Sequence, residues 1–74
     1  MNPSFIKDKI QNELTPTQLK VTDLTGAGDH FEVVIQADCL KGLSRIQQHM
    51  KIMKLFDDEL QSGELHLLTI KVIQ

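Results

Sequence analysis

Seven consecutive residues, HFEVVIQ at 30–36, alternate so regularly that they admit little but a half-buried strand. Phe31, Val33 and Ile35 fall on one side; His30, Glu32, Val34 and Gln36 fall on the other. The strand passes through a connector, residues 37–42, into a helix that Ser44 can cap. A strand that feeds a helix must bury both apolar faces against each other. The stretch from Asp29 to His49 is therefore expected to supply most of the core. With three Phe and neither Trp nor Tyr, that core has to be mainly aliphatic.

The flanking sequence supplies the other layers. Asn2-Pro3 suits a helix opening, with Asn as cap and Pro at the first helical position. Phe5, Ile6, Ile10 and Leu14 then recur near one face. Pro16 biases Thr15 away from helical dihedrals, so this helix should stop there. Leu19 and Val21 alternate with Lys20 and Thr22 as a first strand. Residues 25–29, with two glycines, form the turn of an antiparallel hairpin. After Ser44, residues Ile46, Met50, Met53, Phe56 and Leu60 recur at threes and fours as a core stripe, widened by Ile52 and Leu55. Gly63 ends that helix. Leu65 to Ile73 is a third strand with Leu68, Ile70 and Val72 inward.

The expected order is α-β-β-α-(α)-β, with room for a short extra helix before the long one. This is one α+β domain over residues 1–74, a three-stranded mixed sheet with helices packed on one face. If the second and third strands are neighbours, they run parallel and are joined by a right-handed crossover. The expected core is Phe31, Val33, Ile35, Leu68, Ile70, Ile46, Met50, Met53 and Phe56.

Composition narrows the function. A formal net charge of −2 and a pI near 5.8 weigh against a generic nucleic-acid or anionic-membrane binder. No apolar run approaches the ~20 residues that span a bilayer. The first ten residues lack the apolar core of a secretory leader. A single cysteine cannot form an internal disulfide. A reducing cytoplasm is the expected setting. The sequence has no Walker-type phosphate loop, CxxC, HExxH or nucleophile elbow, so no enzyme is expected. Turn chemistry accounts for Thr25-Gly26-Ala27-Gly28. Asp57, Asp58 and Glu59 point in different directions on a helix and read as a solvated helix end. Cys39 reads as a small buried hydrophobe.

The three histidines differ. His49, beside Met50, reads as a packed structural residue. His30 opens the second strand and His66 the third. Parallel neighbours about 4.8 Å apart would bring both to the same end of the sheet. Strand parity points the other way: His30 alternates with Phe31, whereas His66 shares parity with Leu68. Regular strands would therefore send the two imidazoles to opposite faces. The sequence leaves both arrangements open.

Two blocks carry a family resemblance. The first runs from Phe31 to His49 and follows F-x-V-x-V-x-S-x-x-F-x-G-K-x-x-x-x-RH. Phe31, Val33, Asp38, Gly42, Ser44 and His49 match in register. Leu40 stands for the usual Phe, Leu43 for the Lys and Gln48 for the Arg. The second, Leu65-His66-Leu67-Leu68-Thr69-Ile70-Lys71, follows I-H-A-L-x-L-K. In both, the chain resembles the BolA family.

The resemblance implies a fold similar to a type II KH domain and a non-enzymatic role. It implies a monothiol glutaredoxin as partner and a shared 2Fe-2S cluster, serving iron–sulfur trafficking or iron sensing. It assigns His66 as the ligand, and an imidazole is a suitable one for iron. The family's second ligand, a Cys or His, lies in the loop between the first two strands. Here that loop reads Gly26-Ala27-Gly28, which cannot bind metal. Either His30 substitutes or the partner supplies more of the coordination. The isolated chain is expected to be a monomer that holds no cluster alone and forms a heterodimer with its partner.

The alternative is a KH-like, DNA-binding transcriptional regulator using Lys41, Gly42, Arg45, Lys51 and Lys54. Of the G-x-x-G loop with which KH domains clamp the backbone, Gly42-Leu43-Ser44-Arg45 keeps only the first glycine, so weak, non-specific binding is expected. A plain adaptor binding through its sheet edge is a third reading. BolA-like chains often continue with a T-P-x-x-W segment. This chain ends at Gln74, so that segment is expected to be missing.

Overall fold

The computed structural model describes residues 2–73. Met1 and Gln74, where the C-terminal segment is expected to fall short, lie outside the described residues. Helix α1 spans Pro3–Leu14. The Asn2 side chain caps it, accepting from Phe5 N at 3.1 Å. It ends at Thr15, whose left-handed backbone (φ 42°) turns the chain before Pro16. Strand β1 is Gln18–Asp23, β2 is His30–Gln36 and β3 is Leu67–Val72. Between β2 and β3 lie a 3-10 turn at Asp38–Leu40, helix α2 at Arg45–Met53, a second 3-10 turn at Lys54–Phe56 and helix α3 at Asp57–Ser62.

The sheet order is β1-β2-β3, with β1 antiparallel and β3 parallel to β2. This is the expected α+β arrangement with a mixed sheet. Both proposed caps hold. Ser44 Oγ accepts from Gln47 N at 3.1 Å, while Gln47 Oε1 accepts from Ser44 N at 2.9 Å. That reciprocal pair satisfies two otherwise orphaned amides at the start of α2. Gly63 closes α3 with φ 87°, a conformation glycine adopts without a Cβ clash. The expected single long helix is interrupted. Phe56 sits at φ −117°, ψ 20°, outside helical values, so α2 and α3 are separate elements.

One face of β2 is the floor of the core. Phe31, Val33 and Ile35 are fully buried, together with Ile6 and Ile10 of α1, Ile52 of α2, Phe56, and Leu40 and Leu65 of the connecting segments. Helix α2 presents a different face from the expected one. Ile46 and Met50 are 72% and 60% exposed, while Gln48 and Ile52 are buried. The cause is polar: Gln48 Nε2 donates to the Leu40 carbonyl at 2.9 Å, which sets the rotation of the helix about its axis. His49, one residue further round, is consequently exposed rather than packed. Met53 and Ile70 are only half-buried.

Three further residues depart from expectation. Phe5 is exposed; its ring, like that of Phe56, lies 5.5 Å from Lys9 Nζ. Lys9 in turn pairs with Glu59 at 3.0 Å. Glu59 is therefore buried between α1 and α3 instead of belonging to a solvated helix end, although Asp57 and Asp58 are exposed. Cys39 is exposed on the first 3-10 turn, with Sγ 3.6 Å from the Leu14 carbonyl, because that turn directs Leu40 inward instead.

The rotation of α2 has a direct consequence. Ile52→Ala should lower the unfolding free energy by about 3 kcal/mol, and Ile52→Val by about 1 kcal/mol. Ile46→Ala should stay within about 0.5 kcal/mol of the unaltered chain. Urea denaturation monitored by circular dichroism measures all three; equal losses at 46 and 52 would contradict the observed helix face.

Candidate metal centre

The hairpin between β1 and β2 is ordered by one carboxylate. Asp23 Oδ1 accepts from Thr25 N at 3.2 Å and Gly26 N at 2.9 Å, and Oδ2 accepts from Gly28 N at 3.1 Å. Gly26 and Gly28 both sit at positive φ, which this tight loop requires. The loop delivers Asp29 to the mouth of the sheet. There the Asp29 carbonyl accepts from both His66 N (2.8 Å) and Leu67 N (3.2 Å). Leu24 N donates to the His30 carbonyl at 2.8 Å.

These bonds resolve the open question of the two histidines. The parallel ladder begins with His30 opposite Leu67. His66 precedes the ladder, so the alternation of a regular strand does not govern its direction. The two imidazole centroids are 5.9 Å apart with ring planes at 85°. Asp29 lies between them: Oδ1 is 2.8 Å from His30 Nδ1 and Oδ2 is 3.6 Å from His66 Nδ1. Thr25 Oγ1 donates to Asp29 Oδ1 at 3.1 Å. The hydrogen bond from His30 holds the Asp29 carboxyl below the usual carboxylate range. Partial desolvation opposes this, while Thr25 and the charges of both imidazoles add to it.

Asp29, His30 and His66 each offer a donor atom, and these lie within 4.8 Å of one another. His66 is 59% exposed, whereas Asp29 and His30 are half-buried. Leu67, in register with His30, and Leu24, on the other side of it, are both exposed and give the site an apolar rim. Sequence reasoning singled out the two histidines and missed Asp29, which reads as a turn residue. Its position directly before a histidine at a strand mouth was the available signal.

The donor set is two imidazoles and a carboxylate. The lone thiol, Cys39, follows the opposite end of β2 and cannot join them. Iron–sulfur clusters take four protein ligands, mostly thiolates, so these residues fit one side of such a centre and not the whole. Gly26 and Gly28 offer hydrogen bonds to Asp23 and no side-chain donor.

The cationic residues weighed for nucleic acid line more than one groove. Lys41 pairs with Asp38 at 3.1 Å. Lys51 and Lys54 line a shallow groove with Leu14, Leu43 and Met50. Arg45 lines a different groove, with Gln48, His49 and Lys71. Gly42 is exposed at φ 82° with open space where a Cβ would be.

Comparison with known proteins bears on what this site belongs to. The chain matches the family described as BolA-like protein over residues 10–74. It is 36% identical over 80 residues to the Arabidopsis thaliana protein named SufE-like protein 1, chloroplastic/mitochondrial, a match covering 88% of this chain and 21% of that protein. It is 36% identical over 68 residues to BolA-like protein 3 of Saccharomyces cerevisiae, covering 90% of this chain and 58% of that one. The chain thus spans less than two thirds of either relative. The solved structure of BolA1 from Arabidopsis thaliana superimposes with a TM-score of 0.87 at 30% identity, covering 97% of this chain and 90% of that one.

The Asp29 carboxyl titrates lower in the folded chain than in the unfolded one. Its contribution to stability is thus present above the ordinary carboxylate pKa of about 3.9 and is lost as pH falls through the lower folded value. Asp29→Asn should therefore flatten the acid limb of thermal stability below about pH 4. An acid limb identical in the two proteins would contradict the His30–Asp29 bond.

Proposed function

The chain belongs to the BolA-like protein family, and from that premise we propose that it binds a monothiol glutaredoxin and shares a 2Fe-2S cluster with it. His66 is the principal ligand on this chain and His30 an auxiliary one. The observation that carries this reading is the meeting of two imidazoles at one open end of the sheet, with His66 the more exposed. Thiolates come from the partner, because the thiol of this chain is at the wrong end of β2. The cluster supplies redox-active, transferable iron. This chain supplies imidazole nitrogen, which raises the potential relative to all-thiolate ligation. The exposed Leu24 and Leu67 beside the histidines suit an apolar contact with the partner.

The role is non-enzymatic and serves iron–sulfur trafficking or iron sensing. Among the described residues no helix is long and apolar enough to cross a membrane. A reducing compartment suits the exposed thiol. The cytoplasm is the one expected from the sequence, while the name of the SufE-like relative places that protein in chloroplasts and mitochondria. The nucleic-acid reading has no comparable support, since its candidate cations line separate grooves.

The test is visible circular dichroism of a cluster-loaded monothiol glutaredoxin mixed with this chain. Addition should change the spectrum as ligation changes. His66→Ala should abolish the change with the far-ultraviolet spectrum intact, His30→Ala should reduce it, and His49→Ala should leave it unaltered. A full spectral change with His66→Ala would overturn the assignment.

A further inference from the structure

We infer that the free chain, without any partner, binds one divalent transition-metal ion of the Zn2+ type through Asp29, His30 and His66. Around a four-coordinate ion with ligands at about 2.0–2.2 Å, neighbouring donors sit about 3.4 Å apart. Asp29 Oδ1 and His30 Nδ1 are 2.8 Å apart, and Asp29 Oδ2 and His66 Nδ1 are 3.6 Å apart. All three donors fall within 4.8 Å, so the widest gap closes with side-chain shifts of about 1 Å. Adjacent residues of a regular strand could not both ligate, since they face opposite ways. Asp29 lies just outside β2, and its carboxylate already folds back onto the His30 ring.

The backbone beneath the donors is fixed before any ion arrives. The Asp29 carbonyl holds the amides of His66 and Leu67, Leu24 N holds the His30 carbonyl, and Asp23 holds the loop. Little ordering is left for the ion to impose, which favours binding.

The donor chemistry selects the ion class. Ca2+ and Mg2+ prefer six or more oxygens, and Cu(I) prefers sulfur. Two imidazoles and one carboxylate suit Zn2+ and its neighbours, leaving a fourth position open to water or to an incoming ligand. The site needs no second protein, so it stands or falls apart from the shared-cluster reading.

The experiment titrates untagged chain with Co2+, a spectroscopic stand-in for Zn2+, and follows visible absorption. Intense four-coordinate d–d bands should saturate at one ion per chain and be displaced by Zn2+. Asp29→Asn, His30→Ala and His66→Ala should each weaken binding at least about tenfold. Asp29→Asn retains an acceptor for Thr25, which keeps the loop folded, and far-ultraviolet circular dichroism checks this for each variant. His49→Ala should bind as the unaltered chain does. Absence of saturable binding, or a weak six-coordinate spectrum, would overturn the proposal. So would binding that Asp29→Asn and His30→Ala leave unchanged, since that describes a lone surface imidazole.

Discussion

The carbonyl oxygen of Asp29 accepts hydrogen bonds from His66 N and Leu67 N at 2.8 and 3.2 Å, and much of the molecule depends on that fork. It is where the chain, after the long excursion through α2 and α3, is returned to the central strand. The parallel ladder that follows pairs His30 with Leu67, Phe31 with Leu68 and Val33 with Ile70. A slip of one residue would send Leu68 to the outer face and Leu67 into the core, which burial forbids. The same fork places His66 beside His30. Core register and site geometry are therefore two consequences of one set of bonds.

The core itself is small and one-sided. Its apolar floor on β2 is roofed by α1 and α2, and its edges are closed by Leu40 and Leu65 from the connecting segments. Polar contacts decide how the roof is turned. Gln48 satisfies the Leu40 carbonyl from within α2, and Lys9 satisfies Glu59 across α1 and α3. Among the described residues, one Glu59 oxygen, Oε2, is buried without a hydrogen-bond partner, so that junction is less well compensated than the Gln48 bond.

Strands, caps and topology were legible in the sequence because each rests on local chemistry. The period of two in residues 30–36, Ser44 and Gln47 at capping spacing, and glycines where φ must be positive are all local signals. The face of α2 was not legible. Ile46 and Met50 make a better apolar stripe than Gln48 and Ile52, and only a tertiary hydrogen bond tells which one turns inward. Burial of Glu59 depends on Lys9, fifty positions away along the chain, and was hidden for the same reason. At the site, both histidines could be named from sequence. Their approach to each other could not, because His66 sits one residue ahead of the ladder whose alternation seemed to separate them. Asp29 was hidden by its second role as the last residue of a turn.

Two imidazoles share one carboxylate at the open end of a parallel strand pair. His66 is the more exposed of the two, while His30 and Asp29 are half-buried behind it. The direct measurement is the nuclear Overhauser effect between the ring protons of His30 and His66 in the free chain. With centroids 5.9 Å apart and rings edge to face, cross-peaks between the two rings are predicted, together with contacts from the His66 ring to the Asp29 side chain. If the His66 ring shows neither set of contacts in an otherwise folded chain, the imidazoles do not meet and the account is contradicted.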